Sequence, residues 1–227
     1  MPIILLLLLL LLIIFGPQLW TRRVLAQYNQ PRQDFPGNGA AFAQHLLAQH
    51  NLSHIPVEIT EEGDHYDPLT RTVRLSPEYW HGRSLTAIVV AAHEVGHALQ
   101  DQSNYQPFHA RIKLVTTAQK AEKIGAGLMM AIPVIALIMR LPAAGILLFL
   151  AGFSSLATSV IVHFITLPVE WDASFNRALP ILAQNRYLSQ RDQRAARKIL
   201  TACALTYVAS SLTSLLNLWR WLAILRR

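Results

Sequence analysis

Hydrophobic positions along the chain fall into long uninterrupted runs and shorter periodic stretches, and the two kinds predict different elements. Residues 1–20 carry an apolar run from Ile3 through Phe15, continued by Leu19-Trp20. About 20 such residues suffice to cross a bilayer. Further runs cover 124–139, 143–166 and 200–218, with Pro133 inside the second and Arg140-Leu141-Pro142 breaking the chain between the second and third. The expectation is an N-terminal anchor at 1–20, a hairpin of spans at 124–166 and a last transmembrane helix within 200–227. The first run has no charge before it, and Arg22-Arg23 follow it. A cleaved signal peptide would show a positive start, so an uncleaved anchor is the better reading.

Between the runs the periodicity changes. Residues 21–40 are polar and contain Pro31, Pro36, Gly37 and Gly39, as a linker would. Phe42, Leu46 and Leu47 share one face of a short helix over 40–50. Ile55 to Ile59 alternates, and Leu69, Val73 and Leu75 alternate with polar neighbours, so two short strands are expected with turn chemistry at Asp64–Pro68. A strand in this position can line a peptide cleft or simply pack on the next helix. Ser76-Pro77 marks a helix start. A buried helix over 85–102 follows. Residues 108–123 read as a basic amphipathic helix whose Arg111, Lys113, Lys120 and Lys123 lie on a solvated face. The stretch 21–123 is thus one catalytic region, and 167–199 a helix with a basic segment.

Composition strengthens the membrane reading. The chain of 227 residues is 52% hydrophobic and only 15% charged, whereas soluble domains average about 25% charged. The net charge of +7 reads as cytoplasmic charge flanking spans rather than as a nucleic-acid surface, and no nucleic-acid partner is expected. Cys203 is the single cysteine. It excludes an internal disulfide and leaves histidine and carboxylate as the metal-ligand types.

The chemistry is concentrated in His93-Glu94-Val95-Gly96-His97, an H-E-x-x-H pattern. On a helix, positions i and i+4 share a face. Both imidazoles can then hold one zinc ion, with Glu94 beside them as general base on the zinc-bound water. Two ordinary core or solvated histidines are the bland alternative. The apolar flanks argue against it, because Glu94 buried among alanines and valines needs a compensating partner. A catalytic zinc takes three protein ligands. A metzincin would place a third histidine six residues after His97, but Gln100 and Ser103 stand in that pattern. The third ligand must come from further along, and the first carboxylates after the expected hairpin are Glu170 and Asp172.

Asp64–Pro68 with Thr72–Ser76, Ala92–Ala98, Leu167-Pro168-Val169-Glu170 with Ala173-Ser174, and Leu205–Ala209 together resemble the YugP-type membrane zinc metallopeptidases of bacteria, a gluzincin-like family. The resemblance runs in order through nearly the whole chain. It implies a membrane-embedded metalloendopeptidase with zinc on His93, His97 and Glu170. Glu170 is also favoured by its longer side chain, and by Pro168, which would start a helix and turn Asp172 roughly 200° away. One departure is Ser174, where many gluzincins carry an aspartate that orients a zinc histidine. Support for His93 and His97 is left to Asp172 or Asp101. Arg177 and His163 are the candidates for steadying the oxyanion, against plain readings as a cytoplasmic anchor and an interfacial residue.

The expected architecture is therefore a mainly α membrane protein. It has about four transmembrane helices and a small zincin-like α+β domain built from an active-site helix and a short sheet. Its place is the bacterial inner membrane, with the active site facing the cytoplasm. The expected partners are the lipid bilayer and protein or peptide substrates, chiefly membrane proteins. The rival is a non-catalytic metal-binding or metal-transport membrane protein, which would have no use for Glu94.

Overall fold

The computed structural model describes residues 2–120, 162, 165–184 and 187–206. Helix α1 (Pro2–Gln27) does not stop at Trp20. Residues 21–27 contain no proline or glycine and are mostly good helix formers, and Thr21 and Val24 are buried against the rest of the protein. Asn38 then caps α2 (Gly39–Gln49) by accepting the Ala41 N–H at 2.9 Å. Fully buried Leu46 and Leu47 face inward, each burial contributing about 1.5–3 kcal/mol.

Three strands follow: β1 (Val57–Ile59), β2 (His65–Asp67) and β3 (Thr72–Leu75). Their order is β1-β3-β2, with β1 parallel and β2 antiparallel to β3. The turn chemistry expected at Asp64–Pro68 is therefore partly strand: the tight turn lies one step later, where Arg71 takes φ 50°. Ser76 precedes α3 (Pro77–His81) but makes no side-chain cap. Its hydroxyl and N–H both go to Asp64 Oδ1, at 2.9 and 2.7 Å.

Helix α4 (Leu85–Gln102) is the centre of the domain. Ser84 caps it by accepting the Ala87 N–H, and every residue from Leu85 to Gln100 is buried. A helix apolar all round must be covered on all sides. The cover is α2, α3, the sheet, the end of α1, the helix 106–120, and the helical stretch 165–184 with the helix 190–206 behind it. Residues 165–171 are already helical, so the helix does not begin at Pro168, and Asp172–Ala178 winds as a π-helix before Leu179–Gln184.

The four-span expectation is corrected here. Among the described residues no helix is long and apolar enough to cross a membrane. The physical reason is visible at the start of the expected last span. Ile199, Leu200, Ala202 and Ala204 are buried within the domain, so apolarity that reads as lipid-facing in the sequence is used for the core. The expected hairpin at 124–166 and the remainder of 200–227 lie largely outside the described residues, as does His163.

Candidate metal centre

The i, i+4 spacing on α4 sets His93 and His97 side by side, with ring centroids 4.8 Å apart. Glu170 reaches them from the second helix. Its Oε2 lies 3.2 Å from Nε2 of each histidine. All three side chains are buried, Glu170 completely. Gly96 makes the close approach possible: a Cβ there would sit 2.7 Å from the Ala173 carbonyl oxygen, so α4 meets the π-helical stretch backbone to backbone.

The second ring nitrogens fix the tautomers. His97 Nδ1 is 2.9 Å from Gln100 Oε1. The Gln100 amide donates to the Val169 carbonyl at 2.8 Å and to Asp172 Oδ2 at 2.9 Å. Both of those are acceptors, so the Gln100 oxygen must face His97, and His97 Nδ1 must carry the proton. His93 Nδ1 is 3.1 Å from Ser174 Oγ, which itself donates to the Leu200 carbonyl at 3.3 Å. The serine therefore accepts, and His93 is also protonated on Nδ1. Two Nε2 lone pairs then converge on Glu170 Oε2, a buried atom with no hydrogen-bond donor. Three lone pairs facing one another repel unless a cation lies among them. His93, His97 and Glu170 form the group able to hold a metal ion among the described residues, and a His₂Glu set suits a catalytic zinc with one position open.

Electrostatics separate the two glutamates. Glu170 Oε1 takes a charged hydrogen bond from Arg111 Nη1 at 2.8 Å, which offsets the cost of burying the carboxylate. Glu94 stands in the same pocket without such compensation. Burial pushes it up to about 8, and the neighbouring carboxylates of Asp64 and Glu170 add to the rise. The pocket has a volume of about 320 Å³ and is lined by Asp64–Leu69 of the β2 edge, the ligand set, and Phe108, Arg111 and Ile112.

The remaining expected residues are placed as follows. Asp172 does not face the histidine Nε2 atoms. It accepts from Gln100, Asn176 and Arg177, and although burial raises its carboxyl, Arg177 foremost holds it low. Asp172 thus supports His97 through Gln100. Arg177 is occupied with Asp172 at 2.8 Å and Ser103 at 3.0 Å and lies over the Tyr105 ring, away from the pocket. Asp101 accepts the Tyr66 hydroxyl at 2.8 Å and faces Arg71 at 3.6 Å.

Three residues were missed by sequence reasoning: Gln100 and Ser174 as histidine partners, and Arg111. Gln100 was legible at i+3 from His97, and Ser174 at i+4 from Glu170. Arg111 was read as solvated, yet it shares the spacing of Phe108, Ile112 and Val115, the apolar face of its helix. Its Nη1 donates to Glu170 Oε1 at 2.8 Å.

Comparison with known proteins points to the same cofactor, zinc. Residues 3–226 match a family model described as "putative neutral zinc metallopeptidase". The "Putative membrane protease YugP" of Bacillus subtilis (strain 168) is 35% identical over 212 residues, covering 92% of this chain and 90% of that protein. No solved structure matches the chain.

Proposed function

The chain belongs to the neutral zinc metallopeptidase family, whose cofactor is zinc, and we propose that it is an endopeptidase with Glu94 as its general base. The observation that carries the proposal is the convergence of the two Nε2 atoms on the donorless Glu170 Oε2, with Glu94 in the same pocket. His93, His97 and Glu170 would hold the ion. Zinc, when bound, supplies a Lewis acid and a water acidified to a pKa near 7.

The chain's own residues do the rest. Gln100 and Ser174 hold the imidazoles in the tautomer that leaves Nε2 free. The Glu94 carboxylate takes a proton from water and returns it to the departing amine. Strand β2 is an edge of the sheet and lines the pocket, so an extended substrate can pair along it.

The relative is named a membrane protease, and α1 exposes Leu5, Leu12, Leu19 and Trp20. These support contact with a bacterial membrane and substrates that are membrane proteins or segments close to the lipid. Exposed Arg191, Arg194, Arg197 and Lys198 support a cytoplasmic active site, since cytoplasmic segments carry excess positive charge. Labelling of Glu61→Cys by a membrane-impermeant reagent in intact cells would contradict that orientation.

The decisive experiment is Glu94→Gln. The enzyme reading expects full zinc content and a loss of turnover of about 10²–10⁴-fold, the usual contribution of a general base. A metal-binding or transport protein would keep its behaviour unchanged.

A further inference from the structure

We infer that Arg111 is a positioning residue that keeps Glu170 a one-oxygen ligand, an inference that rests on the metal site proposed above. The two oxygens of this carboxylate have different surroundings. Oε2 faces both histidine Nε2 atoms at 3.2 Å and has no donor. Oε1 accepts from Arg111 Nη1 at 2.8 Å. A carboxylate can give a metal one oxygen or both. With no exposure at Glu170, water does not compete for Oε1, so the partner supplied by the protein decides.

Arg111 is suited to that task. Its side chain is 18% exposed and lies on the pocket-facing side of helix 106–120 with Phe108 and Ile112. Guanidinium remains charged at any working pH, and its planar donors have a fixed direction. Phe108 packs on the His97 ring, with centroids 6.1 Å apart. Arg111 therefore approaches Glu170 from a helix already fixed against the other ligand. If Oε1 lost this donor, the nearest cation able to satisfy it would be the metal itself. Glu170 would then close the position that a catalytic zinc keeps open. Arg111 acts through Glu170 and needs no contact with substrate.

The test is the coordination of the metal in the full chain. Zinc-loaded wild type and Arg111→Met are compared by X-ray absorption, and the cobalt-loaded forms by visible spectra. Wild type is expected to show one Glu170 oxygen, and Arg111→Met one additional carboxylate oxygen with loss of the intense visible bands of four-coordinate cobalt. Two oxygens of Glu170 on the wild-type metal would overturn the inference, and so would an Arg111→Met spectrum identical to wild type. The wild-type result decides by itself if the variant does not fold. Glu170→Ala separates the two levels. If it keeps the wild-type metal content and spectrum, the site reading has failed. If it loses the metal while Arg111→Met matches wild type, only the role of Arg111 has failed.

Discussion

The two halves of the metal centre are built in opposite ways. The α4 half is local: His93, Glu94, His97 and Gln100 fall within eight consecutive positions of one buried helix. The distal half is assembled from afar. Glu170 meets the histidines across more than seventy positions of chain, Ser174 meets His93 at a separation of 81, and Arg111 meets Glu170 at a separation of 59. Helix geometry alone produces the first half. The second requires that the packing of several helices be correct at once, and it includes a π-helical stretch, a form seen often at functional sites.

If both halves hold one ion, damage to either empties it. His93→Ala and Glu170→Ala are expected to abolish tight zinc binding, while Asp172→Ala, acting through Gln100, should weaken it about 10–100-fold. Metal content of the purified proteins decides. Full zinc in Glu170→Ala with none in Asp172→Ala would reverse the roles of the two carboxylates.

The next test strikes the seam between the halves. Gly96→Ala would place a Cβ 2.7 Å from the Ala173 carbonyl oxygen. Overpacking of this kind costs about 1–3 kcal/mol, partly offset by about 1 kcal/mol of helix propensity. A net loss of stability is expected, at about 2–4 °C in melting temperature per kcal/mol for a chain of this size. A variant as stable as wild type would show that the two backbones are not in contact.

Support for the two histidines differs, and zinc affinity should report it. Gln100 is fully buried and joins His97, Val169 and Asp172, so Gln100→Ala should cost about 10–100-fold in zinc affinity. Ser174 supplies His93 with one neutral hydrogen bond, worth about 1 kcal/mol or roughly fivefold. A larger loss from Ser174→Ala than from Gln100→Ala would make the distal half the better support of the two.

These contrasts explain what the sequence made legible. The helix near 40–50 and the strands at 57–59 and 72–75 followed periodicities of 3.6 and 2 that local sterics enforce, and the α4 helix over 85–102 followed its apolar flanks and the i, i+4 spacing of its histidines. Gln100 and Ser174 lie at readable helical offsets from His97 and Glu170, but neither is a carboxylate of the kind that many gluzincins set beside a zinc histidine, so spacing alone does not mark them. Arg111 was lost because a cation on an apolar face looks like an ordinary amphipathic edge until its partner is known. The π-helical stretch has no compositional signature. The apolar run beginning at Leu200 illustrates the opposite error. Burial in a protein core and burial in lipid select the same side chains, and only the packing against Ser174 and α4 distinguishes them at 199–204.

The weakest expected effect lies at the outer brace of the distal half. Helix 190–206 presents the Leu200 carbonyl to Ser174, and its first turn is tied to the segment before α2 by Arg32. The guanidinium donates to Asp192 Oδ1 at 2.7 Å and Oδ2 at 3.0 Å, and Ser189 bonds the same carboxylate at 2.7 Å. The Arg32 hydrogen bond foremost holds the Asp192 carboxyl below its ordinary value of 3.8. Between the lowered folded value and 3.8 the folded state holds fewer protons than the unfolded chain, so stability falls as pH falls through that window. Above 3.8 the contribution is complete. Arg32 is one-third exposed, and screening limits the pair to about 1 kcal/mol or less. Asp192→Asn should therefore melt slightly below wild type at neutral pH, and the difference should shrink progressively as pH falls below 3.8. A difference that persists unchanged in acid would locate the stabilisation in packing of the helix rather than in the ion pair. The brace would then act on Ser174 through the buried face of Ala195, Ala196 and Ile199 alone.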